Sequence, residues 1–182
     1  MVEVVNVVAS GSLGLEFDLE AIAEALGDIS EYDPEKYPGM YLRFGEDTPL
    51  ITVYRTGKYI VTGAASQEET HTIRERFLDL LVENEMIAEP DDEWFRVQNL
   101  VCTAELGESL NLNALAIGLG LESTEYEPEQ FPGLIHRPSG ADSVVLLFAS
   151  GRVVITGGPD LDAAEETFAA LQDEVTDLLA VD

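Results

Sequence analysis

The sequence predicts an α+β fold in which an antiparallel sheet of about ten strands is layered with four helices. The first observation behind this prediction is an internal repeat, because Tyr126–Gly133 (YEPEQFPG) restates Tyr32–Gly39 (YDPEKYPG) 94 residues later. A period of about half the chain indicates two copies of one unit related by an approximate two-fold, and not a solenoid. The expected repeats are residues 1–90 and 91–182.

The second observation is the order of the elements within each repeat. Each repeat reads as a strand, a helix, about four strands and a second helix. Helices that flank a run of strands favour an antiparallel layer over parallel β-α-β units.

The third observation is that the strands are apolar at nearly every position. In Val4–Ala9, Asn6 shares one face with Val4 and Val8. Four helices can cover one such face, which leaves the other as a binding surface or a dimer interface.

Capping and turn residues set the element boundaries in the first repeat. Asp18 is the expected N-cap of a helix that Gly27 ends, and Ser66 with Glu69 forms a capping box for a longer helix. The elements are, in order, strand Val4–Ala9, the helix from Asp18, turn Tyr32–Gly39, strands Met40–Phe44, Pro49–Tyr54 and Lys58–Thr62, with the hairpin turn Arg55–Gly57 between the last two, and the helix from Ser66.

The second repeat follows a linker at Glu89–Glu93 and has the same order. A one-residue insertion before Tyr126 reconciles its upstream offset of 93, seen at Asn6 and Asn99, with the later offset of 94. Its elements are strand Phe95–Thr103, helix Leu112–Leu119, turn Tyr126–Gly133, strands near Leu134–His136, Ser143–Phe148 and Arg152–Thr156, and a last helix from about Asp160.

The net charge of −27, from 9 basic and 36 acidic residues, indicates a protein that works in concentrated salt. At about 1 M salt the Debye length is only about 3 Å, so the self-repulsion of such a chain is screened. The acidic residues are spread along the whole chain and do not form a tail. This distribution predicts a protein of the cytoplasm of a salt-accumulating halophile. No apolar run reaches the roughly 18 residues of a spanning helix, and no signal peptide is expected.

The sequence contains no set of residues that predicts a catalytic site or a metal site. Cys102 is expected to be a small buried hydrophobic residue, and the isolated His71 and His136 are expected to be structural or surface residues. We find no nucleophile–base pair and no glycine-rich phosphate loop. The sequence therefore predicts a protein that is not an enzyme and that holds no metal or cofactor.

Basic residues recur in the strand and turn regions. Thr48–Ala64 and Ser143–Pro159 contain no Asp or Glu. Arg43 and Arg137 occupy equivalent positions of the two repeats, as do Lys58 and Arg152. A general shortage of acidic residues in strands does not explain why basic residues recur at equivalent positions of both repeats. The pattern therefore predicts an anion-binding edge of the sheet.

Two paired sets of motifs, VVNVV…YPG…VYRTGKYIVTGA and VQNLV…EYEPEQFPGLI…LLFASGRVVITGG, resemble the TATA-box-binding protein family. The resemblance covers essentially the whole chain, and the acidic composition resembles the halophilic archaeal members. It implies a saddle-shaped sheet with the helices on its convex face and A·T-rich DNA against its concave face. The implied DNA-contacting residues are Asn6, Val8, Tyr37, Pro38, Arg43, Tyr54, Lys58, Ile60, Thr62, Asn99, Val101, Phe131, Pro132, Arg137, Leu146, Phe148, Arg152, Val154 and Thr156.

The resemblance also implies a role for each kind of side chain. The asparagine amides match donors to the adenine N3 and thymine O2 acceptors of an A·T minor groove. Tyr37, Tyr54, Phe131 and Phe148 match the family's four phenylalanines that wedge between base pairs, so the first repeat departs from the pattern by carrying tyrosine. The arginines and lysine match residues that contact phosphates and position the duplex.

The partners implied by the resemblance are double-stranded DNA, transcription factor B and RNA polymerase. The residues that match the transcription factor B surface are Glu127, Glu129 and Gln130. A homodimer through the concave face is a further expectation when DNA is absent. Two alternatives remain open from the residues alone: a helix-on-sheet carrier or enzyme that binds an apolar small ligand, and an interaction domain that dimerises through its open face.

Overall fold

The computed structural model describes residues 1–89, 94–158 and 160–180, so that residues 90–93 of the predicted linker lie outside the described residues. The chain divides into two compact units. We call residues 6–98 the first unit, and residues 1–5 together with 99–182 the second unit. The described residues form ten strands and four α-helices, the numbers that the sequence predicts.

The first unit contains an antiparallel sheet with two helices. Its strands lie in the order β2-β3-β4-β5-β1. The elements are β1 (Glu3–Ser12), which starts in the second unit, α1 (Leu19–Leu26), β2 (Ser30–Glu31), β3 (Met40–Leu42), β4 (Leu50–Val53), β5 (Lys58–Ala64) and α2 (Gln67–Glu83). The two-residue strand β2 was not located by the sequence pattern, because two residues are too few to show a period.

The second unit repeats this arrangement. Its strands lie in the order β6-β10-β9-β8-β7. The elements are β6 (Trp94–Glu105), which starts in the first unit, α3 (Leu112–Leu119), β7 (Thr124–Glu125), β8 (Leu134–His136), β9 (Val144–Leu147), β10 (Arg152–Gly158) and α4 (Leu161–Leu179). Among the described residues, no helix is both long and apolar enough to cross a membrane.

The predicted helix caps are confirmed in the structure. The Asp18 carboxylate accepts a hydrogen bond from the Ala21 amide at 3.1 Å, which satisfies one of the unpaired donors of the first turn of α1. At α2, Ser66 Oγ accepts from the Glu69 amide at 3.0 Å. The Glu69 carboxylate accepts from the Ala65 amide at 2.6 Å, one residue earlier than in the predicted capping box.

The core of each unit lies between the helices and one face of the sheet. In the first unit the Tyr59 ring on β5 packs against Phe77 of α2, with 5.1 Å between ring centroids. Tyr59 and Val61 are buried, whereas the alternate residues Ile60 and Thr62 are half-buried. Because neighbouring strand residues point to opposite faces, Ile60 and Thr62 lie on the face away from α2. We call this side the open face of each unit.

The one-residue insertion that the offsets require lies in the turn after the first helix of the repeat. Ser30 Oγ donates to the Gly27 carbonyl at 3.0 Å in the first unit. Thr124 Oγ1 donates to the Gly120 carbonyl at 2.8 Å in the second unit, four residues apart instead of three. The same bond therefore closes both turns, and the extra residue lies between Gly120 and Thr124.

Candidate nucleic-acid interface

The two repeated asparagines are held by the same hydrogen bond in the two units. Asn6 Oδ1 accepts from the Gly63 amide at 2.9 Å, and Asn99 Oδ1 accepts from the Gly157 amide at 2.8 Å. Each glycine lies at an irregularity in strand register and has a positive φ, 85° and 88° respectively, which glycine adopts without a steric penalty. Sequence patterns did not reveal these bulges.

This bond fixes the orientation of each amide. Within an asparagine side chain only the carbonyl oxygen can accept a hydrogen bond from a backbone N–H. Oδ1 therefore points to the bulge. In the second unit, Thr156 Oγ1 also donates to Asn99 Oδ1 at 3.3 Å. The Nδ2 groups of Asn6 and Asn99 are the hydrogen-bond donors of these two side chains.

Half-buried side chains surround each asparagine on the open face. In the first unit these are Val8, Ile60 and Thr62, and in the second unit they are Val101, Leu146, Val154 and Thr156. The register places Thr52 beside Ile60, as Leu146 lies beside Val154. Thr52 was missing from the expected contacts, although the offset of 94 from Leu146 would have found it.

The predicted wedge residues of the first unit form a hydrogen-bonded tyrosine cluster. The hydroxyls of Tyr37 and Tyr54 lie 2.5 Å apart, and the ring of Tyr37 stacks on Tyr41 with 5.3 Å between centroids and 5° between planes. The hydrogen bond with Tyr37, and secondarily burial, raises the pKa of Tyr54 to about 12. Tyr41 has no aromatic counterpart in the second unit, where Ile135 stands at the equivalent position.

The corresponding residues of the second unit form an apolar pair. Phe131 and Phe148 lie edge to face, with 5.9 Å between ring centroids and 69° between planes. Phe131 is exposed, as is Pro132 after it, and Pro38 is exposed at the equivalent turn of the first unit. The second unit therefore presents two rings that are not tied to each other by a hydrogen bond.

The glycine of each Tyr-Pro-Gly or Phe-Pro-Gly turn provides the space in which the aromatic pair lies. A Cβ atom on Gly39 would lie 2.9 Å from Tyr37 Cε1 and 3.2 Å from Tyr54 Cε1. A Cβ on Gly133 would lie 2.8 Å from Phe131 Cε1. These distances are shorter than ordinary carbon contacts, so the glycines position the rings. In the sequence the two glycines were assigned to turn chemistry alone, and this second role was missed.

The four predicted phosphate-contacting residues are exposed. Lys58 begins β5 and Arg152 begins β10, each directly after its hairpin turn, and Arg43 and Arg137 follow β3 and β8. Arg137 forms an ion pair with Glu125 at 3.5 Å. This pair is solvent-exposed and therefore weak, so the guanidinium remains available for exchange to another anion.

The expected partner residues lie together in the exposed turn between β7 and β8. The Glu127 carbonyl accepts hydrogen bonds from the amides of Gln130 and Phe131, each at 3.0 Å. Glu127, Glu129 and Gln130 are all exposed. The backbone bond to Phe131 joins this acidic turn to one of the predicted wedge residues.

The remaining candidate residues lie away from the open face. Cys102 is buried, and its pKa is raised by burial. His71 lies edge to face with Phe95. No group of three or more potential metal ligands occurs in the part of the chain that the structure describes.

Comparison with known proteins identifies the family of this chain. The family model for transcription factor TFIID, or TATA-binding protein, matches residues 1–84 and 94–178. The chain belongs to the TATA-binding protein family. It is 51% identical to TATA-box-binding protein C of Halobacterium salinarum, over 98% of this chain and 99% of that protein. It is 44% identical to the TATA-box-binding protein of Haloarcula marismortui, over 100% and 96%.

A solved structure gives the same assignment. The TATA-binding protein of Methanococcus jannaschii superposes with a TM-score of 0.84 at 37% identity, over 97% of this chain and 98% of that one. The predicted α+β fold and the predicted resemblance to halophilic members are therefore confirmed. The family consists of DNA-binding transcription factors, so the chain is a transcription initiation factor and not an enzyme.

Proposed function

We propose that the open faces bind the minor groove of an A·T-rich promoter element, the TATA box, and bend it. The observation that carries the proposal is the bond from each bulge glycine to its asparagine, at 2.9 Å in the first unit and 2.8 Å in the second. It leaves the Nδ2 groups of Asn6 and Asn99 as donors on surfaces that are otherwise mainly apolar.

Donors of this kind match an A·T minor groove. Adenine N3 and thymine O2 are acceptors in either orientation of the pair, whereas a G·C pair adds the guanine N2 amino donor. An amide whose oxygen is already bonded to the protein cannot turn over to accept from that amino group. The bulge glycines therefore give A·T preference to Asn6 and Asn99, and the apolar neighbours fit the groove floor.

The other open-face residues have supporting roles in this proposal. The aromatic pairs Tyr37 with Tyr54 and Phe131 with Phe148 wedge between base pairs at the two ends of the site, stiffened by Pro38 and Pro132. Arg43, Lys58, Arg137 and Arg152 contact phosphates and set the register without reading the sequence. The remaining expected contacts are Val8, Ile60, Thr62, Val101, Leu146, Val154 and Thr156. No cofactor takes part.

The decisive experiment replaces both asparagines by aspartate. In the double variant Asn6→Asp with Asn99→Asp, the new carboxylates still accept from the Gly63 and Gly157 amides but cannot donate to bases. Loss of two base-directed donors, worth about 1–3 kcal/mol each, predicts binding of an A·T-rich duplex that is weaker by at least about thirtyfold. Fluorescence anisotropy in molar KCl measures this loss.

A matched control adds the same two charges elsewhere. Asn111 is the N-cap of α3, where its side chain accepts from the Ala114 amide at 3.2 Å, and Asn113 is exposed on the same helix. Aspartate suits both positions at a helix N-terminus. The variant Asn111→Asp with Asn113→Asp is expected to bind within about twofold of the wild type. Equal affinities of the two double variants would contradict the minor-groove assignment.

We further propose that the DNA-bound protein recruits transcription factor B, and through it RNA polymerase. The exposed turn that carries Glu127, Glu129 and Gln130 supports this proposal, because it is acidic and joins the wedge residue Phe131 by a backbone bond. In the absence of DNA, the half-buried apolar residues of the open faces favour a homodimer. The proposed location is the cytoplasm, on the nucleoid, and the proposed repeats are residues 1–90 and 91–182.

A further inference from the structure

One equivalent position of the two open faces carries a hydroxyl in the first unit and an aliphatic side chain in the second. Thr52 on β4 lies there in the first unit, and Leu146 on β9 lies 94 residues later in the second. The register pairs Thr52 with Ile60 and Leu146 with Val154, so the two positions match in the sheet as well as in the sequence. Both strand neighbours of Thr52 are fully buried in the core, which places Thr52 on the open face.

The Thr52 hydroxyl is available to a ligand. Its methyl group is directed to the turn before β3, because a Cβ on Gly39 would lie 2.9 Å from Thr52 Cγ2. The hydroxyl has no hydrogen-bond partner within the described residues, where His136 Nδ1 is the only fully buried side-chain nitrogen or oxygen that lacks one. The Thr52 hydroxyl therefore reaches the surface, although the side chain as a whole is only 7% exposed.

The tyrosine cluster accounts for this low exposure. Tyr41 lies beside Thr52 in the register of β3 with β4. The rings of Tyr37 and Tyr54 lie against the same side of Gly39 as the Thr52 methyl group. In the proposed complex these two rings leave the cluster to wedge between base pairs, and their movement would uncover Thr52 toward the groove.

A hydroxyl at this position changes which base pairs the first unit can accept. A threonine side chain can donate to adenine N3 or thymine O2, and it can also accept from the N2 amino group of guanine. Leu146 can do neither, so a guanine amino group that it covers would lose its bond to water without a replacement. The asparagine amides cannot accept, because their oxygens are already bonded to the bulge glycines. Thr62 and Thr156 are common to both units and give no preference between them.

We propose that Thr52 is a specificity-determining residue, whose hydroxyl accepts from a guanine N2 amino group. The first unit then tolerates one G·C pair at a position where the second unit, with Leu146, rejects it. An element that contains one such pair is bound in one direction, with the first unit over the half that holds the G·C pair. This inference rests on the proposed minor-groove binding and adds to it a residue that sets direction.

The test compares guanine with inosine, which pairs with cytosine and lacks only the N2 amino group. A duplex with two identical A·T halves receives either pair at each position of one half in turn, or at the matching positions of both halves. Anisotropy in molar KCl measures affinity. At one position, the wild type is expected to bind the duplex with one guanine within about twofold of its inosine counterpart. Guanine in both halves is expected to weaken binding at least about tenfold relative to inosine in both halves.

Exchanging the two side chains tests the role of the hydroxyl. Thr52→Val keeps the branched shape and removes the hydroxyl, and one guanine is then expected to weaken binding at least about fivefold relative to inosine. Leu146→Thr is expected to make guanine in both halves tolerated, so a second variant tests the proposal if the first fails to fold. The control Thr176→Val removes an exposed hydroxyl of α4 and is expected to keep the wild-type ratios.

Energy transfer measures the direction of binding. A dye is attached to Ser139→Cys, an exposed position of the second unit, while the buried Cys102 stays unlabelled, and the second dye is placed on one duplex end. Transfer is expected to be high when the single guanine lies in the half farther from the dyed end, and Thr52→Val with Leu146→Thr is expected to reverse this dependence. Failure of the wild type to bind the A·T duplex would refute the proposed function and this inference with it. Binding of that duplex with equal guanine-to-inosine ratios in the wild type and Thr52→Val would overturn this inference alone.

Discussion

Replacing the two tyrosines of the first unit by phenylalanine is expected to strengthen DNA binding and bending. The hydroxyls of Tyr37 and Tyr54 lie 2.5 Å apart. In the proposed complex, wedging the rings between base pairs would separate these hydroxyls or carry them into an apolar base stack. The stack of Tyr37 on Tyr41 is disturbed equally in both proteins, so it cancels from the comparison. Only the hydroxyl contribution differs.

The magnitude follows from that contribution. An intramolecular hydrogen bond contributes a net free energy of about 0.5–1.5 kcal/mol. If this bond need not be broken, insertion of the rings costs about 1 kcal/mol less, which corresponds to an affinity about fivefold higher. We therefore expect Tyr37→Phe with Tyr54→Phe to bind an A·T-rich duplex about fivefold more tightly. The reverse change, Phe131→Tyr with Phe148→Tyr, is expected to weaken binding by a similar factor. Truncation of the phenylalanines to alanine is expected to reduce bending more than truncation of the tyrosines.

Energy transfer between dyes on the two duplex ends measures bending, and anisotropy measures affinity, both in molar KCl. Tyr41→Phe is the control, because it removes a hydroxyl and leaves the bond between Tyr37 and Tyr54 intact. The hydroxyl bond itself is checked by NMR titration of Tyr54, whose pKa of about 12 is expected to fall toward 10 in Tyr37→Phe. Since this pKa is raised on folding, the stabilisation is complete below pH 10 and is lost as the pH rises through 12.

Two results would refute this reasoning. One is a doubly substituted Tyr→Phe protein that binds and bends DNA as the wild type does. The other is a Tyr41→Phe protein that gains as much affinity as the double variant, because the gain would then come from general loss of polarity and not from the hydrogen bond.

Three further predictions concern stability, salt and partners. His136→Leu is expected to raise the free energy of unfolding by about 1 kcal/mol, because it removes a buried Nδ1 that has no hydrogen-bond partner in the described part of the chain, while the Ser123 carbonyl keeps its 2.8 Å bond from the Arg137 amide. Thermal unfolding would then show a rise of about 2–4 °C, and a fall would contradict the prediction. Affinity for A·T-rich DNA is expected to stay flat or rise from about 0.1 M to about 1 M KCl, because the repulsion between DNA and a chain of net charge −27 is screened; a steeply falling slope on folded protein would refute this. Glu127→Lys with Glu129→Lys is expected to leave binary DNA binding nearly intact and to stop recruitment of transcription factor B, as measured by a gel shift; normal recruitment would remove both residues from the interface.

The sequence was sufficient for features that depend on local chemistry. The N-caps Asp18 and Ser66 were predicted because a side-chain oxygen before an apolar helical period has few alternatives. Strand ends were predicted less well. The predictions for β3, β4 and β9 were too long, whereas β5 and β10 each continue two residues beyond the predicted ends at Thr62 and Thr156. Both extensions pass through the bulge glycines, which sequence reasoning treats as breaks.

Features that depend on side chains meeting across the fold could not be predicted. The orientation of Asn6 depends on an amide 57 residues away, and the bond between Tyr37 and Tyr54 joins a turn to the end of a strand. The residues themselves were named in advance, but composition and spacing carry no information on which atoms of an amide face outward.

The internal repeat separates positions that the two units share from positions at which they differ. The units agree at Asn6 and Asn99 with their bulge glycines. This agreement fits the proposed ligand, because an A·T minor groove presents the same acceptors in both directions. The two units also differ at some positions. Position 136 is such a place, although a leucine would fill the core there as Leu42 does in the first unit. A buried histidine whose Nδ1 has no hydrogen-bond partner among the described residues costs stability that the leucine of the first unit does not cost.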